Sequence, residues 1–463
     1  MDVSVCDPAT RAVIGRVAVA GSAGVDRAVA AAREAQPSWS SVPVVERARL
    51  MFRFADALER RREDLSRSVS RENGKTIADA RAEVRRGIEA VEFSCGMPSL
   101  LMGDALADIA RGVDSLSVRY PVGVCAGITP FNFPAMIPLW MIPIALAAGN
   151  AFILKPSPQT PLTAELLAEI AAECTFPAGT FGVVHGGAET VEALIDHPGV
   201  DAISFVGSSQ VARRVYERAA RAHKRVQALG GAKNHLVVMP DAVTPPTVAA
   251  VIASAFGGAG QRCLAGSVVV AVGEAGDRLA PMLVDAAKNL RLGAGIDDGV
   301  DMGPVVSDDA LARVEGYVER ARAAGARVLL EPKATPEGGS FLTPAIFDRV
   351  DPASELARDE IFGPVLAIVR ANSLDEALAF ANGSRYGNAA SIFTADGGAA
   401  RAFAAQIAVG MVGINVGVAA PMAFFPFGGV KDSIFGDLRC HGKDAVAFYT
   451  QQRVVISRWP QNG

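Results

Sequence analysis

From Asp26 to Arg71 apolar residues recur at helical spacing, with Val25, Val29 and Ala32 opening the stripe, and arginines and glutamates fill the opposite face. The same period predicts a second helix over about Ile77–Phe93. A short stretch, Ser115–Tyr120, then reads as a strand. Beyond Pro121 the pattern changes: short apolar runs alternate with helical ones. VGVCAGI, AFILK, FGVVHG, AISFVG and RVQAL read as strands. The stretch Pro134–Ala148 and the segments TAELLAEIAAEC, TVEALIDH and QVARRVYERAA read as the helices between them. This repeated order predicts a parallel sheet with helices on both faces, the doubly wound type that binds dinucleotides.

The pattern restarts near Gly231. VAAVIASAFGGAGQRC is helical up to its glycines, VVVAV is a strand, and a helix lies near Pro281–Asn289. VLL, the helix Leu374–Asn382 and SIFT continue a second α/β unit to about Gly436. The last segment, Ala445–Trp459, ends in the alternation FYTQQRVVISRW, a strand with no partner in its own unit. Pairing with the Ser115 strand, or with another subunit, would protect its edge. The expected organisation is 1–102 with 122–230, then 231–436, with 103–121 and 437–463 as a small β-segment.

Composition narrows the class. A chain of 463 residues is too long for one core, so two large domains are expected. Half the residues are hydrophobic and a fifth are charged, as in ordinary globular enzymes. A net charge of -4 without long runs of one sign argues against nucleic acid as a partner. The six cysteines are scattered with no C-x-x-C pair, and the five histidines do not cluster with them. Reduced thiols, no metal site and a cytoplasmic setting are therefore expected. MDVSVCDPAT lacks the basic and apolar regions of a signal peptide. Pro134–Gly149 falls short of the ~20 residues a membrane span needs and carries Pro138 and Pro143, so a buried helix is expected and no membrane partner.

Five motifs carry candidate chemistry. In FGGAGQRC, glycines surround Cys263 after the predicted helix end. Glycine permits close approach of a substrate, and a thiolate is a strong nucleophile, although a lone cysteine is more often inert core. In TPFNFP, an exposed Asn132 amide could donate to an oxyanion, or simply turn the chain before a helix. LKPSPQTPL puts Lys155 at the carboxyl end of a parallel strand, where nucleotides bind. FVGSSQ puts Ser208 at a helix N-terminus that can face a pyrophosphate, without a full G-x-G-x-x-G. DEIFGPV sets Asp359 and Glu360 before a turn, which taken singly is a solvated acidic pair.

In this order the five motifs resemble the aldehyde dehydrogenase superfamily, over about Asp7–Trp459. The resemblance implies an α/β fold with a Rossmann-type NAD-binding domain, a second α/β catalytic domain and a small oligomerisation β-segment, assembled as a homodimer or homotetramer. It implies Cys263 as nucleophile, with Asn132 and the Cys263 main-chain N–H as oxyanion hole. Lys155 and Glu360 would hold the cofactor riboses, Ser208 the pyrophosphate, and Thr129 and Phe131 would line the nucleotide path, with Pro158, Gln159 and Gly230 completing the cofactor set. Pro158 stands where many members carry a Glu that accepts from the adenosine ribose. An opening strand usual before the segment matching DPATRAV is expected to be missing.

A narrower resemblance lies in FNFPAMIPLWMIP, GAKNHLVVMPDA, GQRC and FGDLRCHGKDAVAFYTQQ, which look like the methylmalonate-semialdehyde dehydrogenase branch. That branch is CoA-acylating and converts malonate or methylmalonate semialdehyde to acetyl-CoA or propionyl-CoA with loss of the carboxylate. Hydrolytic members use the Glu of an E-L-G-G-K run to activate water; here Ala228-Leu229-Gly230-Gly231-Ala232 offers no such base. A CoA thiol is a good nucleophile near neutral pH and needs less help. Arg262, beside the nucleophile, suits a substrate carboxylate, and Arg86 matches the branch's second carboxylate-binding arginine, with Arg85 a surface neighbour. Two arginines with no counter-ion of their own would favour an anionic aldehyde. Two alternatives stay open: a hydrolytic aldehyde dehydrogenase with another base, and a catalytically silent cofactor-binding structural protein, against which the intact Cys263 and Asn132 argue.

Overall fold

Proline and capping chemistry divide the long helical stretch that opens the chain. It forms three helices, Gly21–Ser41, Val44–Arg60 and Arg62–Asn73. Val42 is pushed to an extended conformation before Pro43, which ends the first of them. The helix Ile77–Cys95 follows, capped by Thr76, whose hydroxyl accepts from the Asp79 N–H at 3.1 Å. The computed structural model describes residues 2–334 and 338–459; Met1, 335–337 and 460–463, which fall in the expected segments 1–102, 231–436 and 437–463, lie outside the described residues.

The expectation of a missing opening strand is overturned. Asp2–Cys6 is a strand, paired antiparallel with Val13–Ala18 and anchored by buried Val5. Five residues with one buried anchor give too short an alternation to stand out in sequence.

The first sheet runs Ile434–Phe435, Arg225–Leu229, Ala202–Val206, Val124–Ile128, Ala151–Lys155, Phe181–Val183. All neighbours are parallel except the short edge strand Ile434–Phe435, by which the chain returns from the second unit. The chain builds outward from Val124–Ile128 in one direction, then jumps back to build in the other with Ala202–Val206. Strand order therefore reverses between these two strands, and ligands of open α/β sheets bind outside the carboxyl ends at such a point. TPFNFP, KPSPQ, GSS and GGAK all follow carboxyl ends of this sheet. The apolar stretch between the first two of these strands forms the helix Met136–Ala147, buried from Ile137 onward. Among the described residues no helix is long and apolar enough to cross a membrane.

The second sheet has seven strands in the order Arg327–Leu330, Ala345–Asp348, Val365–Ala371, Val268–Val272, His235–Val238, Ala389–Phe393, Met411–Ile414. Only the first pair is antiparallel. The helix Asp308–Ala323, which the apolar pattern did not reveal, buries only Val314, Val318 and Ala321, too sparse a stripe to register.

The C-terminal strand Thr450–Arg458 pairs antiparallel along its whole length with Val113–Pro121, which also pairs with Ala105–Ala110. The C-terminal alternation thus finds the Ser115 strand as expected. Thr450–Arg458 remains an edge strand of this sheet, and Val454, Ile456, Leu106 and Trp459 are all more than 60% exposed on it or beside it.

Candidate active site

The helix Pro245–Phe256 stops at a turn that glycine makes possible. Gly258, Ala259 and Gly260 all take left-handed conformations. A side chain at Gly260 would lie 2.2 Å from the Gly363 carbonyl oxygen, so this backbone packs directly on the Phe-Gly-Pro turn that follows Glu360. The turn delivers Gln261, Arg262 and Cys263. The Cys263 carbonyl accepts from the side-chain amides of Asn234 and Asn388, both at 2.9 Å. The N–H groups of Cys263 and Leu264 turn toward the sulfur. Burial, helped by the Glu360 charge, pushes the thiol up to about 12 against the pull of the two N–H groups and Arg262.

Two cavities meet at this sulfur-bearing residue. The smaller, about 300 Å³, is bordered by Asp79, Arg86, Trp140, Arg262, Phe427 and His441. The larger, about 910 Å³, is bordered by Phe131, Asn132, Ser208, Gly230 and Glu360. Cys263 borders both, and no other cysteine borders either. Cys95, Cys125, Cys174 and Cys440 are buried elsewhere and Cys6 is exposed.

Thr129, Lys155, Pro158 and Gln159 border neither cavity, although they sit at adjoining strand ends. The Thr129 N–H donates to the Lys155 carbonyl at 3.1 Å. Lys155 Nζ is buried and donates to the Gly186 carbonyl at 3.0 Å, and burial lowers its pKa to about 8. Pro158 is half-buried and Gln159 is exposed.

Asn132 is held from several sides. Its Nδ2 donates to the Gln261 carbonyl at 3.1 Å, which leaves one of its two N–H donors free. Its own carbonyl accepts from Lys75 Nζ at 2.6 Å. Lys75 is paired with Glu83 at 2.5 Å, both buried, and Glu83 Oε1 accepts from the Ala135 and Met136 N–H groups. Asn73 Nδ2 donates to the Phe131 carbonyl at 3.1 Å. The TPFNFP loop is thus pinned by three side chains of RENGKTIADARAE that sequence reasoning missed. One signal was present: Glu83 falls among Ala80, Val84 and Gly87 on the apolar face of its helix, where a carboxylate needs a partner.

The two arginines do have counter-ions, which corrects the expectation drawn from sequence. Arg262 Nη2 pairs with Asp79 Oδ1 at 2.7 Å, and Asp79 Oδ2 accepts from the Gly258 N–H. A side chain at Gly257 would lie 2.6 Å from the guanidinium, so glycine gives Arg262 its resting place. Arg86 pairs with Glu89 at 3.3 Å and donates to the Pro421 carbonyl at 2.6 Å. Asp79 and Arg262 are 183 residues apart, and nothing local announces the pair. Arg85 pairs with Glu92 on the exposed side of the same helix.

On the larger cavity, Glu360 Oε1 accepts from the Ala232 N–H at 2.9 Å. Burial raises this carboxyl to about 7, against the pull of that N–H and of Lys233. Lys233 Nζ is buried without a hydrogen-bond partner among the described residues. Ala228, which the resemblance sets where hydrolytic members carry their base, is fully buried in its strand and offers no carboxylate. The helix Ser209–Arg221 opens on the cavity with no side chain capping its first turn, and Arg213 lies beside it. Uncapped N–H groups with an arginine nearby suit a pyrophosphate.

A profile of the aldehyde dehydrogenase family matches residues 1–455. The chain is 51% identical to malonate-semialdehyde dehydrogenase 1 of Geobacillus kaustophilus (strain HTA426), over 98% of this chain and 93% of that protein. The crystal structure of a methylmalonate-semialdehyde dehydrogenase from Oceanimonas doudoroffii superposes with a TM-score of 0.98 at 43% identity, covering 100% of this chain and 96% of that one. A Sinorhizobium meliloti 1021 protein assigned as a methylmalonate-semialdehyde dehydrogenase and solved with NAD gives the same score and identity, covering 100% and 95%.

Proposed function

The chain belongs to the aldehyde dehydrogenase family, and from that membership we propose that it is an NAD-dependent, CoA-acylating malonate- or methylmalonate-semialdehyde dehydrogenase. The observation that carries this reading is the position of Cys263, between a cavity bordered by two arginines and one that suits a dinucleotide. Ser208, Gly230, Phe131 and Glu360 would hold NAD in the larger cavity. Thr129, Lys155, Pro158 and Gln159 would serve at its rim, Lys155 by sharing its ammonium with the Gly186 carbonyl.

The Cys263 thiolate attacks the aldehyde carbon, forming the C–S bond and sending the carbonyl pair to oxygen. The free N–H of Asn132 and the Cys263 main-chain N–H hold that oxyanion. NAD, when bound, accepts the hydride that leaves carbon, and the product on the enzyme is a thioester at Cys263. Arg86 and Arg262 hold the substrate carboxylate. Its bond to the α-carbon then breaks; CO₂ leaves, and the electron pair passes into the thioester carbonyl, whose enolate oxygen stays on the same two donors. The α-carbon takes a proton. CoA sulfur attacks the thioester carbonyl and the Cys263 thiolate departs, which regenerates the nucleophile.

One observation favours a second reading. The Glu360 carboxyl, raised to about 7, is close enough for its charge to act on the Cys263 thiol. Such a group could serve as base for water, giving a free acid. Steady-state turnover of malonate semialdehyde with and without CoA separates the two. Acetyl-CoA as product, with turnover at least about tenfold slower without CoA, is expected. CoA-independent formation of a free acid would replace the first reading by the second. A silent structural role has no feature of the site in its favour.

We further propose that the sheet Ala105–Ala110, Val113–Pro121, Thr450–Arg458 builds a homodimer or homotetramer. Its free edge and exposed apolar side chains support this. Light scattering at micromolar concentration is expected to show a dimer or larger; a monomer would contradict it. The free state of all six cysteines supports a reducing, cytoplasmic setting.

A further inference from the structure

His441 borders the smaller cavity together with Arg86, Arg262 and Cys263 and has no part in the thioester chemistry. It is only 4% exposed, yet neither Nδ1 nor Nε2 has a hydrogen-bond partner among the described residues. The ring packs edge-on against Trp140, with centroids 4.4 Å apart, and against Phe427 at 5.8 Å. Its backbone takes φ of 73°, a conformation that side-chain-bearing residues adopt at a cost and that clusters at functional sites. A buried imidazole with two orphan nitrogens is unfavourable unless something brings it a partner. A purely apolar wall at this position would be served better by leucine or phenylalanine.

Building on the carboxylated-semialdehyde reading, we propose that His441 is a specificity-determining residue that donates a hydrogen bond to the substrate carboxylate held by Arg86 and Arg262. The chemistry of the position selects this role. Burial and the Arg86 charge hold the ring well below the usual histidine range, so it stays neutral and offers one N–H donor and one acceptor. A carboxylate is acceptor-only, so it takes the donor. The aldehyde oxygen already has two donors, in Asn132 and the Cys263 N–H, which leaves the carboxylate end of the substrate for His441. Lying on the Trp140 and Phe427 walls, the ring adds a directional contact to a charge that two arginines, each shared with an acidic residue, hold only in part.

His441→Phe keeps the aromatic packing and removes both nitrogens. Its kcat/KM for malonate semialdehyde is expected to fall about 10- to 100-fold, as for loss of a hydrogen bond to a charged group. Turnover of propionaldehyde should stay within about twofold, and the melting temperature should hold or rise, because no protein partner is lost. Equal losses on both aldehydes, or no loss on malonate semialdehyde, would overturn the assignment. The wild-type enzyme tests the underlying reading separately: no preference for malonate semialdehyde over propionaldehyde sinks that reading itself, whereas a wild-type preference that survives in His441→Phe sinks only the role of His441. If the variant fails to fold, wild-type enzyme labelled with ¹⁵N-histidine answers instead. Saturating malonate should shift one imidazole N–H resonance downfield, and the absence of any shift would overturn the proposal.

Discussion

Cys263→Ala is expected to lower NADH formation by more than about 10⁴-fold, the scale on which enzymes lose rate when a covalent nucleophile is removed. NAD affinity should stay within about twofold, since the cofactor cavity is bordered by many other groups. Its place sets this one thiol apart. Four of the other five cysteines are buried away from both cavities, and Cys6 lies exposed on the opening strand. The same position predicts a pH dependence. With burial pushing the thiol up to about 12, the thiol form dominates in the free enzyme at pH 7. Iodoacetamide should therefore inactivate the free enzyme slowly at pH 7 and faster as pH rises. Between pH 6 and 8 Glu360 loses its own proton, and its negative charge is part of what holds the thiol that high, so below this window the thiol titrates lower than above it. The rise should thus fall below tenfold per pH unit in that window and approach tenfold above it. In Glu360→Gln that shallow window should disappear. Full NADH formation by Cys263→Ala, measured on purified protein, would end the thioester proposal.

What the sequence disclosed, and what it hid, follows from the range of the interactions involved. Strands such as Ala151–Lys155 and Val268–Val272 are buried at every position, and uninterrupted apolar runs announce that directly. The strand ends carry the site motifs, so Cys263, Asn132, Ser208 and Glu360 could be named from local strings. The helix Asp308–Ala323 escaped because three buried residues do not make a stripe. The Asp79–Arg262 and Lys75–Glu83 pairs escaped for another reason: each is a tertiary agreement between residues whose own neighbourhoods look like ordinary helix surface or turn. His441 is the extreme case. Its string, LRCHGKD, reads as a polar loop, and only the fold shows it enclosed against the Trp140 ring. Positions named from strings alone also carry no direction: only the fold shows the Lys155 ammonium turned onto the Gly186 carbonyl at the end of its strand.

Arg262→Leu is expected to lower kcat/KM for malonate semialdehyde by roughly 30-fold to several thousand-fold. Breaking a buried, hydrogen-bonded charge pair costs about 2–5 kcal/mol, and every ~1.4 kcal/mol is tenfold. Asp79 sharpens this expectation. In the resting site its carboxylate occupies part of the Arg262 fork, and a guanidinium can still serve a second carboxylate through its remaining donors. Once Arg262 is gone, Asp79 is left unpaired on the wall of the same cavity, so the substrate anion meets a negative charge where it met a positive one. The loss should lie toward the upper end of the range, and adding Asp79→Asn to Arg262→Leu should recover part of it. Propionaldehyde has no carboxylate and should lose far less in either variant. Arg86→Leu should repeat the pattern, because Arg86 borders the same cavity, and Arg85→Leu should not, because Arg85 is spent on Glu92 at the surface. The comparison between aldehydes decides the matter, since Arg262 also braces the turn that carries Cys263 through Asp79 and Gly258. Equal losses on both substrates would leave Arg262 that bracing role alone, and would return the question of what recognises the carboxylate to Arg86 and His441.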